Sequence, residues 1–310
     1  MSTADSALQE LLASINMHKQ ALQGAAHLEL DGTKIIGSGT VPGFNLDTEP
    51  IEDGLSVRVV VDAGTKIEKP VHLCFGMLPE TGIQRIEMDV TIEEDASVSF
   101  LAHCTFPNAV DVQHLMNAVI RVGSRSTYSY LERHVHAESK GITVVPKAKI
   151  ELAEEAVFKT EFELLKGRVG VMDIEYYAEV AAKARLEMTA RVSAKGDDRL
   201  KVREAAVLNG EYATGVLTSH IAVRDQATAE IYNDLIANAP FARGHVDCKE
   251  IVQGEATAKA VPVVEVRHPK AHITHEAAIG SVDSKQLQTL MARGMDEAAA
   301  TDLIIQGLLS

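Results

Sequence analysis

The segment HITHEAAIG, His272 to Gly280, sets two histidines three residues apart with a glutamate attached. That composition is open to a metal site, an acid/base pair or a polar loop. A hydrolytic zinc site is disfavoured by order and parity. The zincin helix needs H-E-x-x-H and its inverted form H-x-x-E-H, and His272, His275 and Glu276 fit neither. On a strand, an odd separation puts His272 and His275 on opposite faces, so they would not chelate one ion together. The other reactive candidate is Cys248, in ARGHVDCKEIVQGEA, where His245, Asp247 and Lys249 make a polar, partly cationic setting in which a thiolate is plausible. Cys74 and Cys104 sit among apolar or aromatic neighbours and read as small core hydrophobes.

These residues need elements to position them. Leu8, Leu11, Leu12, Ile15 and Leu22 recur near a period of 3.6 and predict an amphipathic helix over residues 4–22, broken at Gly24. From there to about Val266 the apolar period is mostly two, as at Leu55, Val57, Val59 and Val61, at Ile86, Met88, Val90 and Ile92, and from Ala184 to Val192. No crossover helix follows any of these strands.

Small residues open strands at Ala96, Ser126, Ala156, Ala184, Ala227 and Ala256, in steps of 30, 30, 28, 43 and 29 residues. A near-constant period with small corners predicts a parallel β-solenoid, each coil burying its apolar row on its neighbours, with an insertion or a missed corner in the long step. An antiparallel sandwich with evenly spaced hairpins remains the alternative from periodicity alone. In a solenoid, residues one coil apart stack. The 28-residue separation of Cys248 and Glu276 then predicts that thiol and carboxylate meet.

After Gly280 the pattern turns helical. Asp283 or Ser284 can cap a helix presenting Leu287, Leu290 and Met291; Arg293-Gly294 ends it, and Asp296 starts another with a stripe of Ala299, Ala300, Leu303, Ile304 and Leu308. A terminal helical hairpin of this kind packs on its own sheet or docks another protein.

Composition narrows the function. The apolar fraction of 46% suits a globular core, and a formal charge of −14 without a basic run argues against a nucleic-acid partner. No signal-peptide pattern or spanning apolar run occurs, and three cysteines suit a reducing compartment, so no membrane association and a cytoplasmic location are expected. There is no G-x-x-x-x-G-K-[ST] loop, so any ATP dependence must come from a partner. Neither a G-x-S-x-G elbow nor a tryptophan is present, and aromatics are 4% of residues, which leaves a carbohydrate-active β-helix poorly supplied.

The segments CKEIVQGEATAKAVPVVEV, HITHEAAIG and QLQTLMARGMDEAAATDLIIQGLL resemble the C-terminal half of the SufB/SufD family of iron–sulfur cluster assembly proteins. The closest agreement runs over residues 240–309 and rests on the cysteine before a glycine and P-x-x-E, on H-E-A-x-x-G, and on L-x-x-L-x-x-R-G. The resemblance implies a right-handed parallel β-helix over residues 25–270, an N-terminal helical segment over 1–24, and a C-terminal segment with the hairpin over 271–310. It also implies a scaffold that is not itself an enzyme, holding a transient iron–sulfur cluster, 4Fe–4S being one type, at Cys248 and Glu276 with His275 as a third or supporting ligand.

By the same resemblance, Leu287, Leu290, Arg293, Gly294 and Leu303 would dock a separate SufC-like ABC-type ATPase, and apo iron–sulfur proteins would receive the cluster. Glutamate after His275, where SufD-like chains tend to carry glycine, makes the chain more SufB-like. It is shorter than a typical SufB and lacks an N-terminal cysteine cluster, which suggests a minimal form working as a homodimer without a SufD chain. One Cys, one Glu and one His cannot fill four cluster positions, whereas two copies across a twofold axis could. The alternative is a SufD-like structural partner that binds no cluster. Whether His245 or His272 joins the site is left open.

Overall fold

The computed structural model describes residues 3–139 and 141–310; the expected N-terminal segment thus begins two residues outside the described ones. In chain order the elements are helix α1 (Thr3–Ser14) and strands β1 (His27–Asp31), β2 (Lys34–Gly39), β3 (Phe44–Ile51), β4 (Gly54–Val61), β5 (Val71–Gly76) and β6 (Thr81–Ile92). The coils continue with β7 (Ser97–Phe106), β8 (Asp111–Val122), β9 (Thr127–His136), β10 (Ile142–Leu152), β11 (Val157–Lys166), β12 (Val171–Val180) and β13 (Arg185–Ala194). They close with β14 (Arg199–Leu208), β15 (Thr214–Val223), β16 (Thr228–Ala237), β17 (Arg243–Val252), β18 (Thr257–Val266) and β19 (His272–Gly280), followed by helices α2 (Ser284–Met291) and α3 (Glu297–Leu308).

Odd and even strands separate into two sheets, ordered β19-β17-β15-β13-β11-β9-β7-β5-β1-β2 and β18-β16-β14-β12-β10-β8-β6-β4-β3. Every pairing from β5 and β4 onward is parallel. This is a β-solenoid of about 8 turns with 58% of residues in strands. The expected solenoid is present, and the sandwich is not. Alternate residues point inward because the strand period is two, and the two inward faces meet in one continuous core from Ala26 to Ala256. The coils run to Gly280, ten residues past the expected boundary at 270, since β19 pairs with β17 along its length.

The corner residues explain the coil length. Ala96, Ser126, Ala156 and Ala184 each close a tight turn by an N–H bond to the carbonyl three residues back, and each is fully buried. The residue before each has a left-handed φ between 57° and 61°, at Asp95, Arg125, Glu155 and Lys183. The expected 43-residue step resolves into a missed corner and a change of row. Ala213 and Ala242, which precede β15 and β17, continue this row, whereas Ala227 and Ala256 open strands of the other sheet.

The predicted N-terminal helix is shorter than expected. It ends at Ser14, Asn16 takes a left-handed φ of 56°, and Lys19–Leu22 form a separate 3-10 turn. Its buried apolar residues are those expected: Leu8, Leu12, Ile15 and Leu22 cluster, with Ile36 and Val135 packed against them. Leu11 rests on Gly76, where any Cβ would come within 2.6 Å of its methyls, so glycine lets the helix approach the sheet.

At the other end Asp283 caps α2 and Asp296 caps α3, each accepting a backbone N–H bond. Gly294 turns between the helices with φ +97°. The buried face of α3 is Ala300, Thr301 and Ile305, with Leu309 just beyond, against Ala222 and Ile251. This face is rotated from the expected stripe. Ala299 and Leu303 point away from the sheet, and Leu303 is 46% exposed.

Candidate functional site

Two of the donor-bearing places among the described residues bear on metal binding. The first is the C-terminal coil, where the anticipated ligands lie. Cys248 on β17 points inward and is fully buried; its sulfur accepts a bond from Asn233 Nδ2 at 3.4 Å. Burial is the main cause pushing its thiol up from its ordinary value, and the bond from Ser219 opposes it. The polar, partly cationic neighbours expected from the sequence face the other way. Asp247 and Lys249 occupy the outer face, where Asp247 contacts Lys249 at 3.0 Å and His220 at 3.4 Å.

The residue beside Cys248 on β19 is Ala277, and Glu276 instead pairs with Asp247. Coils are 29 residues long here, so a separation of 28 places Glu276 on the opposite face from Cys248. Its exposed carboxylate stands 3.9 Å from Lys249 Nζ. His275 shares a row with Val246 and faces inward, yet it is exposed because no coil follows. Thus the thiol and the imidazole share a face, while the glutamate does not. His272 is exposed, and His245 bonds Thr274 Oγ1 at 2.8 Å. Of the residues expected to dock an ATPase, Arg293, Gly294 and Leu303 are exposed, and Leu287 and Leu290 half-buried. Leu290 and Leu303 line an open cleft with Asp283 and Thr289.

The second place lies deep in the coils nearer the N-terminus, and sequence reasoning missed it. Cys104 Sγ, a Glu132 carboxylate oxygen and a His134 ring nitrogen, all buried, lie within 4.8 Å of one another. Cys104 on β7 is the register partner of His134 on β9, and Ala102 that of Glu132. Sγ is 3.5 Å from Glu132 Oε1, and His134 Nε2 is 2.8 Å from the same oxygen. His114 of β8, in the facing sheet, brings Nε2 to 3.8 Å from that sulfur. Burial pushes the imidazoles of His114 and His134 down to about 3, so both are neutral and free to donate a lone pair. The same burial, reinforced by Glu132, pushes the Cys104 thiol far up. Sulfur, oxygen and nitrogen donors this close can hold a metal ion.

A signal for this group was available. Glu132, His134 and His136 alternate within LERHVH, which puts all three on one face of a strand, and Cys104 lies 30 residues before His134. Its sequence neighbours alone make Cys104 a small hydrophobe; residues one coil away make it a donor. Cys74 differs again. It faces away from this core beside Glu29, and burial pushes its thiol up to about 12. Glu29 accepts bonds from His27 and His72 under the N-terminal segment.

Fold and donors together define a class, a parallel β-solenoid carrying thiol, carboxylate and imidazole groups within its coils. Residues 80–308 match the family described as SUF system FeS cluster assembly, SufBD core domain. The chain belongs to the SufBD family of iron–sulfur cluster assembly proteins. It is 41% identical over 259 residues to an iron–sulfur cluster assembly SufBD family protein of Methanocaldococcus jannaschii, covering 83% of this chain and 82% of that one. A Pyrococcus horikoshii protein of the same description is 37% identical over 92% of this chain and 86% of its own length. Similarity extends to the iron–sulfur cluster assembly protein SufB of Bacillus subtilis, at 22% identity over 81% of this chain and 54% of that one. No helix among the described residues is long and apolar enough to cross a membrane.

Proposed function

We propose that the protein is a scaffold on which an iron–sulfur cluster is assembled, acting as a homodimer through its C-terminal coil and driven by a separate SufC-like ABC-type ATPase. Membership of the SufBD family carries this reading. The open end of the solenoid supports it. β18 and β19 end their sheets with one free edge each, and inward-row residues such as His275 and Ile279 are exposed instead of covered by a further coil. Free edges of this kind are what a second copy would close.

His275 and Glu276 then lie at the seam, and two copies double the donors. Cys248 is one coil deeper, behind Ala277, so its sulfur serves a cluster only when the edge strand shifts. Conformational work from an ATPase docked on Leu287, Leu290, Arg293, Gly294 and Leu303 would supply that shift. A soft thiolate with a harder, more labile carboxylate suits a cargo that must leave for recipient apo-proteins.

Anaerobic reconstitution with iron and sulfide is expected to give visible absorption that Cys248→Ala abolishes and His275→Ala or Glu276→Ala weakens. An unaltered spectrum in Cys248→Ala removes the assignment. One observation favours the second reading, a SufD-like structural partner: Cys248 is buried and Glu276 lies on the opposite face. That reading predicts no cluster on the wild-type chain and co-purification with a second β-helix protein.

A further inference from the structure

The polar group around Cys104 is organised beyond what core packing requires. Gln84 Nε2 donates to the carbonyls of Gly32 at 2.6 Å and Gly76 at 2.9 Å, which leaves its Oε1 as acceptor. His114 Nδ1, 2.8 Å from that Oε1, must therefore carry the proton, and His114 Nε2 turns a lone pair toward the Cys104 sulfur. A parallel relay sets the second imidazole. His136 Nδ1 donates to the carbonyl of Arg168 at 2.8 Å, so its Nε2 accepts from His134 Nδ1 at 3.0 Å. His134 Nε2 then also presents a lone pair, toward Glu132 Oε1. Two lone pairs, a thiol and a carboxyl thus converge from both sheets, and each imidazole is oriented from behind by a second partner, as in metal-binding histidines.

We propose that Cys104, Glu132, His134 and His114 bind one divalent transition-metal ion of the zinc or iron(II) class inside the solenoid, at a site separate from the C-terminal coil. Metal–ligand bonds of about 2.0–2.3 Å in a tetrahedron hold ligand atoms about 3.3–3.6 Å apart. Cys104, Glu132 and His134 already lie within 4.8 Å of one another, with contacts of 2.8 and 3.5 Å, whereas His114 reaches only the sulfur, at 3.8 Å, and its ring must move inward to complete the tetrahedron. The donor set of one sulfur, one carboxylate and two imidazoles excludes the magnesium and calcium class, which takes oxygen. Charge balances. The ion displaces the thiol proton of Cys104 and the carboxyl proton of Glu132 to solvent, and the two anions neutralise it, so the core gains no net charge. An adjoining cavity of ≈ 40 Å³, lined in part by Glu132, Tyr130, Met88 and Met116, has room for displaced water.

Cobalt(II) is the probe. The full chain is unfolded in chelator, refolded anaerobically with cobalt(II) and desalted. About one cobalt per chain should be retained, with the intense visible bands of a tetrahedral site and a thiolate-to-cobalt charge-transfer band in the near ultraviolet. The charge-transfer band should vanish in Cys104→Ser and persist in Cys248→Ala, which separates this ion from the cluster site. Gln84→Ala, which leaves all four ligands in place but removes the orientation of His114, should weaken cobalt binding about 10–100-fold. Where Cys104→Ser does not fold, as judged by circular dichroism, His134→Gln takes its place and should lose the tetrahedral bands. Refolded wild-type protein that retains no cobalt, or a thiolate band that survives Cys104→Ser, overturns the proposal and leaves a hydrogen-bonded network only.

Discussion

Cys104 and Cys248 are both buried, inward-facing strand residues, and what surrounds them separates them. Cys104 meets a carboxyl and two imidazoles across adjoining coils and the facing sheet, whereas Cys248 meets an amide and a hydroxyl. A third inward polar residue lies between them. Glu204 on β14 stands in register between Tyr176 and Asn233, and its Oε2 has no hydrogen-bond partner among the described residues. Burial pushes this carboxyl up from 4.5 to about 8. The folded chain therefore keeps a proton that the unfolded chain releases, and stability falls as pH rises from the lower value through the higher. Glu204→Gln should stabilise the protein by about 1–3 kcal/mol near pH 8, with the gain shrinking toward zero near pH 4. Urea unfolding across that range checks it; a gain independent of pH would place the effect in packing instead.

At the scale of elements, the corners decide whether coils stack. The small residue at each corner is buried where the chain reverses, so the position cannot grow without displacing the coil beside it. Charged residues brace neighbouring corners from outside, as where Arg125 pairs with Glu94 and Asp95 one coil back. The most enclosed brace is Asp198, fully buried before β14. Its carboxylate accepts from the backbone N–H groups of Val169, Gly170 and Lys195 at 3.0–3.1 Å and from Arg168 Nε at 2.9 Å. One side chain thereby ties two successive turns. Asp198→Ala leaves the three backbone donors and Arg168 Nε unpaired, with the guanidinium left to Asp197, and a loss of about 2–4 kcal/mol is expected in urea unfolding, with Asp198→Asn losing less.

For the whole molecule, the two ends of the solenoid differ. The first coils are covered by α1 and by the antiparallel pairings of β1 with β2 and β3 with β4. The last coil has no such cover: α3 packs on the outer side against Ala222 and Ile251, leaving the inward-row Val266 47% and Ile279 48% exposed on the two final strands. If this end is the dimer seam, a charge placed in it should separate the copies. Ile279→Lys is expected to convert a dimer into a monomer in light scattering after size exclusion, with unchanged circular dichroism. A wild-type monomer at high concentration, or a dimer that survives the substitution, places the seam elsewhere.

What the sequence determined by itself was everything written in local periods. Alternation shows which residues share a face, and small residues recurring about thirty apart show that coils return over one another. A glycine between two capping aspartates shows the helical hairpin. These are legible because φ/ψ preference and side-chain parity act within a few residues. Only the tertiary structure decided which coil residue lies beside which. Coils of 28, 29 and 30 residues occur in one chain, and because faces alternate, one residue of difference carries a side chain from the core to solvent. That single step parted Glu276 from Cys248. The same stacking gathered Cys104, His114, Glu132 and His134, since residues from three strands of two sheets become neighbours only once the solenoid has closed around them.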